Sequence, residues 1–203
     1  LLGWSPKDDQ EKMSIETMIE RFDFAGVNKG NARFDETKLS ALNAEYIREL
    51  AMDVFAEKAS AILKAKGINL DSIEESYLLK VLELCQGKIK SMDTLFDYVH
   101  YFFQDGYDFD AKGMQRIQKG VDPKVLLGEI MSIFENEAEY SSEILESSIQ
   151  AIAEANERKI FAYFPVIRMA TSGLTGGPDL LPMLSVMGRE RVLPRLQSFL
   201  EKL

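Results

Sequence analysis

Residues able to do covalent or metal chemistry are scarce in this sequence. There is one cysteine, Cys85, and one histidine, His100, in 203 residues. A Ser-His-Asp triad, a histidine cage or a thiolate zinc site cannot be assembled from single copies. Cys85 continues the apolar helical spacing of Leu78, Val81 and Leu82, and His100 lies between Val99 and Tyr101, so both read as structural. Carboxylates are plentiful, with eight between Glu129 and Glu157 and no lysine or arginine among them. Paired acids could transfer protons, but no nucleophile or oxyanion donor accompanies them, and a solvated acidic face is the simpler reading. The run Ser172-Gly173-Leu174-Thr175-Gly176-Gly177-Pro178 is rich in turn-forming residues. It lacks the preceding strand and the Gly-Lys-Ser/Thr ending of a phosphate loop. It is either a plain connector or a turn aiming backbone amides at a phosphate, because a helix N-terminus is expected at Pro178-Asp179. Among the aromatic residues, Tyr98, Tyr101, Phe102 and Phe103 read as core, while Tyr98, Tyr101 or Tyr107 could offer a stacking face to an unpaired base. No catalytic and no metal-binding residue is expected.

The net charge of −9 opposes nucleic-acid binding as a whole-molecule property. Local charge is uneven, however. From Pro165 onward five basic residues (Arg168, Arg189, Arg191, Arg195, Lys202) stand against three acids, so an acidic back and a basic front are compatible with the sequence. Hydrophobic residues at 46% and charged residues at 28% fit a globular chain. No apolar run reaches the roughly 18 to 20 residues of a membrane span, and no secretory signal is visible, so a cytoplasmic location and no membrane partner are expected. The sequence opens on Leu1-Leu2-Gly3-Trp4 without a methionine, which leads us to expect further chain upstream.

Helical spacing recurs and period-two alternation is almost absent, which predicts an all-α fold of about ten short helices. Ser14 to Phe22 can form a short helix, and residues 28–33 read as a loop. Asp35 is placed to cap a helix bearing Leu39, Leu42 and Tyr46. Ser72 and Glu75 have the spacing of a capping box. Further apolar stripes run through Phe55–Leu63, Met92–Phe102, Val125–Phe134, Ile144–Ile152, Leu180–Leu184 and Val192–Leu203. Breaks near residue 50 and at Asp105-Gly106 are the best boundary candidates, giving segments 1–50, 51–105 and 106–203.

Two stretches carry a resemblance. The N-terminal one reads Leu2-Gly3-Trp4, Phe34-Asp35, Lys38-Leu39, then Leu42-Asn43-Ala44-Glu45-Tyr46-Ile47-Arg48. The C-terminal one reads Arg168 through Gly173, Gly177-Pro178, Leu180, Gly188-Arg189-Glu190-Arg191 and Arg195-Leu196. In this order and spacing they resemble the C-terminal half of bacterial-type glutamyl-tRNA synthetases, with Ser172 where that family usually has threonine. The likeness spans the chain, and its specificity lies at the two ends.

The resemblance implies an α-helical cage in two sub-domains, 51–105 and 106–203, that grips an anticodon loop, preceded by the end of a stem-contact domain in 1–50. It implies tRNA(Glu) as partner and not DNA. ATP and Mg would serve the full-length ligase, whose catalytic signatures are absent here, so this segment should bind tRNA without cofactor and be inactive by itself. Lys88, in Gln86-Gly87-Lys88, matches an arginine near the start of a mid-chain helix that reads the first anticodon base in that family. A lysine there has no planar fork, which raises the question whether tRNA(Gln) is accepted too. Arg168 and Leu180 match the other base-reading positions. Lys29, Arg33, Lys38 and Arg48 would hold the tRNA backbone. Two alternatives remain open: a helical scaffold that binds protein partners, and the helical cage of a class I lysyl-tRNA synthetase.

Overall fold

The computed structural model describes residues 3–6, 8, 12–28, 30 and 33–203. Among them are eleven α-helices and four short 3-10 turns. The described residues include no β-strand, only an isolated antiparallel bridge between Trp4 and Val27. The expected all-α class is what the chain forms.

The first two helices are local products of their caps. Helix α1 (Ile15–Arg21) begins where the Ser14 hydroxyl accepts from the Thr17 amide, and α2 (Glu36–Glu49) where the Asp35 carboxylate accepts from the Lys38 amide at 3.0 Å. Both expose apolar side chains to solvent, including Ile15, Ile19 and Leu39. The C-terminal end of α2 is tied down by side chains far along the sequence. Gln86 donates to the carbonyls of Ile47 and Leu50, and Asn43 donates to the carbonyl of Lys90.

The remaining helices are α3 (Met52–Ala65), α4 (Glu75–Gln86), α5 (Leu95–Phe103), α6 (Ala111–Ile117), α7 (Pro123–Phe134), α8 (Ser142–Ala155), α9 (Phe164–Ser172), α10 (Leu180–Met187) and α11 (Arg189–Lys202). They enclose one continuous core that runs from Ile47 to Phe199 and crosses the 105/106 junction. Helix α4 packs on α3 and α5, and also on α10. Helix α9 lies against α11, α6, α7 and α5. The α4–α10 contact brings residues from before and after the 105/106 junction to one place.

The capping box expected at Ser72 and Glu75 does not form. Asn69 instead caps a 3-10 turn at Leu70–Ser72, the Ser72 hydroxyl donates back to the Asn69 carbonyl, and α4 starts without a side-chain cap. The more local turn competes for the same serine. Cys85 and His100 are structural. Cys85 is fully buried, and burial pushes its thiol up to about 12. His100 bonds through Nδ1 with the Phe96 carbonyl and stacks on the Phe96 ring.

Candidate anticodon-loop interface

The site is built around the turn that joins α9 to α10. Helix α9 ends at Gly173 in the left-handed region, φ 73°, with its amide donating to the Met169 carbonyl. A Cβ there would stand 2.2 Å from the Asp108 carbonyl oxygen, so the position requires glycine both for its backbone angle and for close approach. The Gly173 carbonyl accepts from the Asp110 amide, which clamps the start of α6 to the end of α9. Ser172 is buried; its hydroxyl donates to the Arg168 carbonyl at 2.8 Å and accepts from the Leu174 amide at 3.2 Å. Only the hydroxyl does this work, which is why serine serves here.

Arg168, on the last turns of α9, reaches across the loop. Its Nη2 donates to the Pro178 carbonyl at 2.7 Å. Gly177, at φ 147°, lies so close that an added Cβ would be 3.0 Å from Arg168 Nη1 and 3.3 Å from the Tyr101 hydroxyl. Burial pulls the Arg168 guanidinium below its ordinary value, opposed by Tyr101, Asp179 and Tyr98 nearby. The next residue along the turn, Asp179, is the N-cap of α10, but its carboxylate does not cap the helix. It accepts from Lys88 Nζ through both oxygens, at 3.0 and 3.2 Å. Leu180 follows as the first residue of α10 and is only 5% exposed.

Arg168, Asp179 and Leu180 share the wall of a cavity of about 410 Å³ with Arg116, Phe164 and Thr175. Lys88, joined to Asp179, stands beside that wall. Residues 88, 168 and 180, from distant parts of the chain, are thus gathered around one turn. An open concavity with a half-buried arginine, an apolar floor and a tethered ammonium can accept a planar, polar-edged group whose backbone is anionic.

The structure redraws several details of the sequence reading. Lys88 lies in the turn after α4, not at the start of a helix. Leu180 forms part of the wall instead of projecting as a free platform. Tyr101 is fully buried, as its reading as core expects, and cannot stack on a base; burial drives its phenol well above the ordinary value. Tyr107 donates its hydroxyl to the Ala170 carbonyl. Of the five C-terminal basic residues, Arg168 lines this cavity, and Arg191, Arg195 and Lys202 line another beside Asp105 and Glu190. Arg195 is 8% exposed and is spent on the Thr171 carbonyl and Asp105, and Arg189 donates to the carbonyls of Glu135 and Glu137. Arg33, Lys38 and Arg48 are exposed, the latter two on α2 and separated by about 15 Å along its axis at the usual helical rise. Lys29 lies outside the described residues.

A family model described as an anticodon binding domain matches residues 44–200. The chain belongs to the anticodon-binding domain family. Over its full length it is 30% identical to glutamate–tRNA ligase 2 of Caldicellulosiruptor saccharolyticus, of which it covers 42%. It is 31% identical, over 97% of its length, to the glutamate–tRNA ligase of Moorella thermoacetica, of which it covers 41%. The chain therefore spans about two fifths of the length of these relatives, corresponding to their C-terminal part. A crystal structure of a glutamate tRNA ligase from Elizabethkingia meningosepticum, in complex with its amino acid, superposes on the whole chain with a TM-score of 0.82 at 24% identity, over 39% of its own length. That likeness shows the fold. No helix among the described residues is long and apolar enough to cross a membrane.

The sequence reading missed two members of this anticodon-binding domain's cavity wall. Arg116 and Phe164 belong to helical segments whose apolar partners drew attention first. The Asp179 partner of Lys88 lies 91 residues away and has no local signal.

Proposed function

We propose that this domain holds the anticodon loop of tRNA(Glu) for a glutamate–tRNA ligase, the full protein joining glutamate to that tRNA with ATP and Mg. The observation that carries the reading is the convergence of Lys88, Arg168 and Leu180 on the 178–180 turn at the mouth of one cavity. Arg168 has donors on a planar group to meet the edge of a splayed base, and the guanidinium is already oriented by Pro178. Leu180 supplies the apolar floor. Lys88 contributes a point charge that Asp179 partly neutralises, which makes it a weaker reader than a forked side chain and leaves room for tRNA(Gln) as a second partner.

Residues 1–50 would end a stem-contact segment, with Arg33, Lys38 and Arg48, together with Lys29, against tRNA phosphates. Segments 51–105 and 106–203 would form the two lobes of the cage. A cytoplasmic site of action, with neither DNA nor a membrane as partner, follows from the same reading. No cofactor is needed for tRNA binding by this region. The scaffold alternative would need a protein partner to prefer this concavity, and nothing in its lining favours one.

The test is a titration of the 203-residue chain with a labelled tRNA(Glu) anticodon stem-loop across a salt series. Log affinity should fall with log salt by about 0.7 for each single-stranded phosphate contacted. Flat salt dependence, or no preference for this stem-loop over one of unrelated sequence, would overturn the assignment.

A further inference from the structure

A second concavity adjoins the first. About 190 Å³ in volume, it is lined by Arg116, Lys119, Gly120, Phe161 and Pro165 among others, and no carboxylate contributes to it. Arg116, Ile117 and Pro165 line both cavities, so the two form one strip across α6 and the start of α9. Phe161 is the notable member. It sits in the 3-10 turn Ile160–Ala162 and is 71% exposed, so its ring is open to solvent at the edge of the strip. It is not loose: its ring meets Phe164 edge-on at 5.5 Å and 78°, and Phe164 in turn lines the first cavity beside Arg168.

We infer that Phe161 is the stacking platform of a second nucleotide seat, taking a loop base next to the one met by Arg168, with Arg116 and Lys119 holding the intervening phosphate. The inference rests on the anticodon-loop reading of the first cavity and extends it. The chemistry is that of single-stranded RNA recognition: an exposed aromatic face, which any base can cover, flanked by cations that track the backbone. Charge complementarity selects this occupant over a protein segment. In a chain with nine surplus negative charges, a wall that carries two cations and no carboxylate is suited to an anionic strand. Gly120, where an added Cβ would meet nothing within 4 Å, leaves the mouth unobstructed.

The test compares Phe161→Ala, Phe161→Tyr and Arg168→Ala in the same 203-residue chain. The ligand is the tRNA(Glu) anticodon stem-loop with a fluorescent adenine analogue placed at each loop position in turn. Phe161→Ala should weaken binding by roughly 5- to 150-fold, the range found when one base-stacking ring is removed. It should also abolish the fluorescence change at one loop position while leaving that at the Arg168-dependent position. Phe161→Tyr, which keeps the ring, should bind as the parent does. Removing Arg116 and Lys119 together should lower the salt slope by about 0.7, the share of the one phosphate they hold. Wild-type affinity and an unaltered fluorescence pattern in Phe161→Ala, with Arg168→Ala still impaired, would overturn this inference and leave the first site standing. If the parent chain fails to bind the stem-loop at all, both readings fall.

Discussion

Replacing Arg168 tests the central geometry most directly, because this side chain has two separable tasks. Its Nη2 satisfies the Pro178 carbonyl at 2.7 Å and its Nη1 points at the Met183 sulfur at 3.9 Å, while the side chain lines the cavity. Truncation to alanine should leave the buried Pro178 carbonyl without its charged donor, costing about 1 to 3 kcal/mol of stability. It should separately cost roughly 1 to 3 kcal/mol in binding a cognate stem-loop, or about 5- to 150-fold. Arg168→Lys divides the tasks. An ammonium can still donate to the carbonyl and keeps the positive charge, but it lacks the rigid fork that meets a base edge. The lysine variant should therefore keep most of the stability and the salt slope, yet lose discrimination between the cognate loop and loops altered one base at a time. Urea midpoints report the first quantity, and fluorescence anisotropy against the loop series reports the second. A lysine variant that discriminates as sharply as the parent would refute the view that the guanidinium reads a base. An alanine variant of unchanged affinity would remove Arg168 from the interface.

Three further expectations follow from the same coordinates. Gly173→Ala places a Cβ 2.2 Å from the Asp108 carbonyl at a positive φ, so it should destabilise the chain by at least about 1 to 3 kcal/mol; a parental urea midpoint would contradict this. Asp179→Asn removes the carboxylate that holds Lys88, so stem-loop affinity should rise and its salt dependence steepen, both read by anisotropy; unchanged binding would mean that Lys88 does not face RNA. The buried Cys85 thiol, pushed up to about 12, favours the neutral form in the folded chain, so its contribution to stability is intact below the free-thiol value of roughly 8.5 and is lost as pH rises toward about 12. At mildly alkaline pH a thiol reagent should react with the native chain no faster than the chain opens, and immediate labelling without denaturant would count against the burial.

Sequence alone located the helices well and the candidate site's members in part, for a physical reason. Caps and stripes are local. Asp35 before α2, Gly87 after α4 and the Val192, Leu196, Phe199 stripe of α11 are all decided within a few residues. Where two local options compete, the pattern misleads, as when Asn69 takes Ser72 into a 3-10 turn. Depth is less legible. Periodicity says which face of a helix turns inward, not whether a residue on it is grazed by solvent, so Tyr101 could be read as core and also as a stacking face until the structure shows it fully buried. Arginines are harder still: Arg168 and Arg195 look alike in sequence, yet the first is half-buried with Nη2 on the Pro178 carbonyl, and the second is almost wholly buried and donates to Thr171 and Asp105. The Lys88–Asp179 pair and the neighbourhood of Arg116 and Phe161 arise from packing between distant helices, and no local spacing encodes them.

The surplus of carboxylates is reconciled with an anionic partner by where those carboxylates sit. Helix α8 carries Glu143, Glu146 and Glu154 on its solvent side and buries Leu145, Ile149 and Ala153 against α7 and α10. Its outer acids are thus separated from α10 by the width of a helix, about 10 to 12 Å. That exceeds the screening length of about 8 Å at physiological salt, so their repulsion of a phosphate at the start of α10 is largely damped there. Glu129 is compensated by Arg158 at 2.5 Å, and the carbonyls of Glu135 and Glu137 engage Arg189, so arginines are drawn to that side as structural partners. What remains at the cavity mouth is a small set of cations with one carboxylate, Asp179, between them. If the proposed anticodon loop binds here, its phosphates would meet these cations without the acidic face of α8 opposing them.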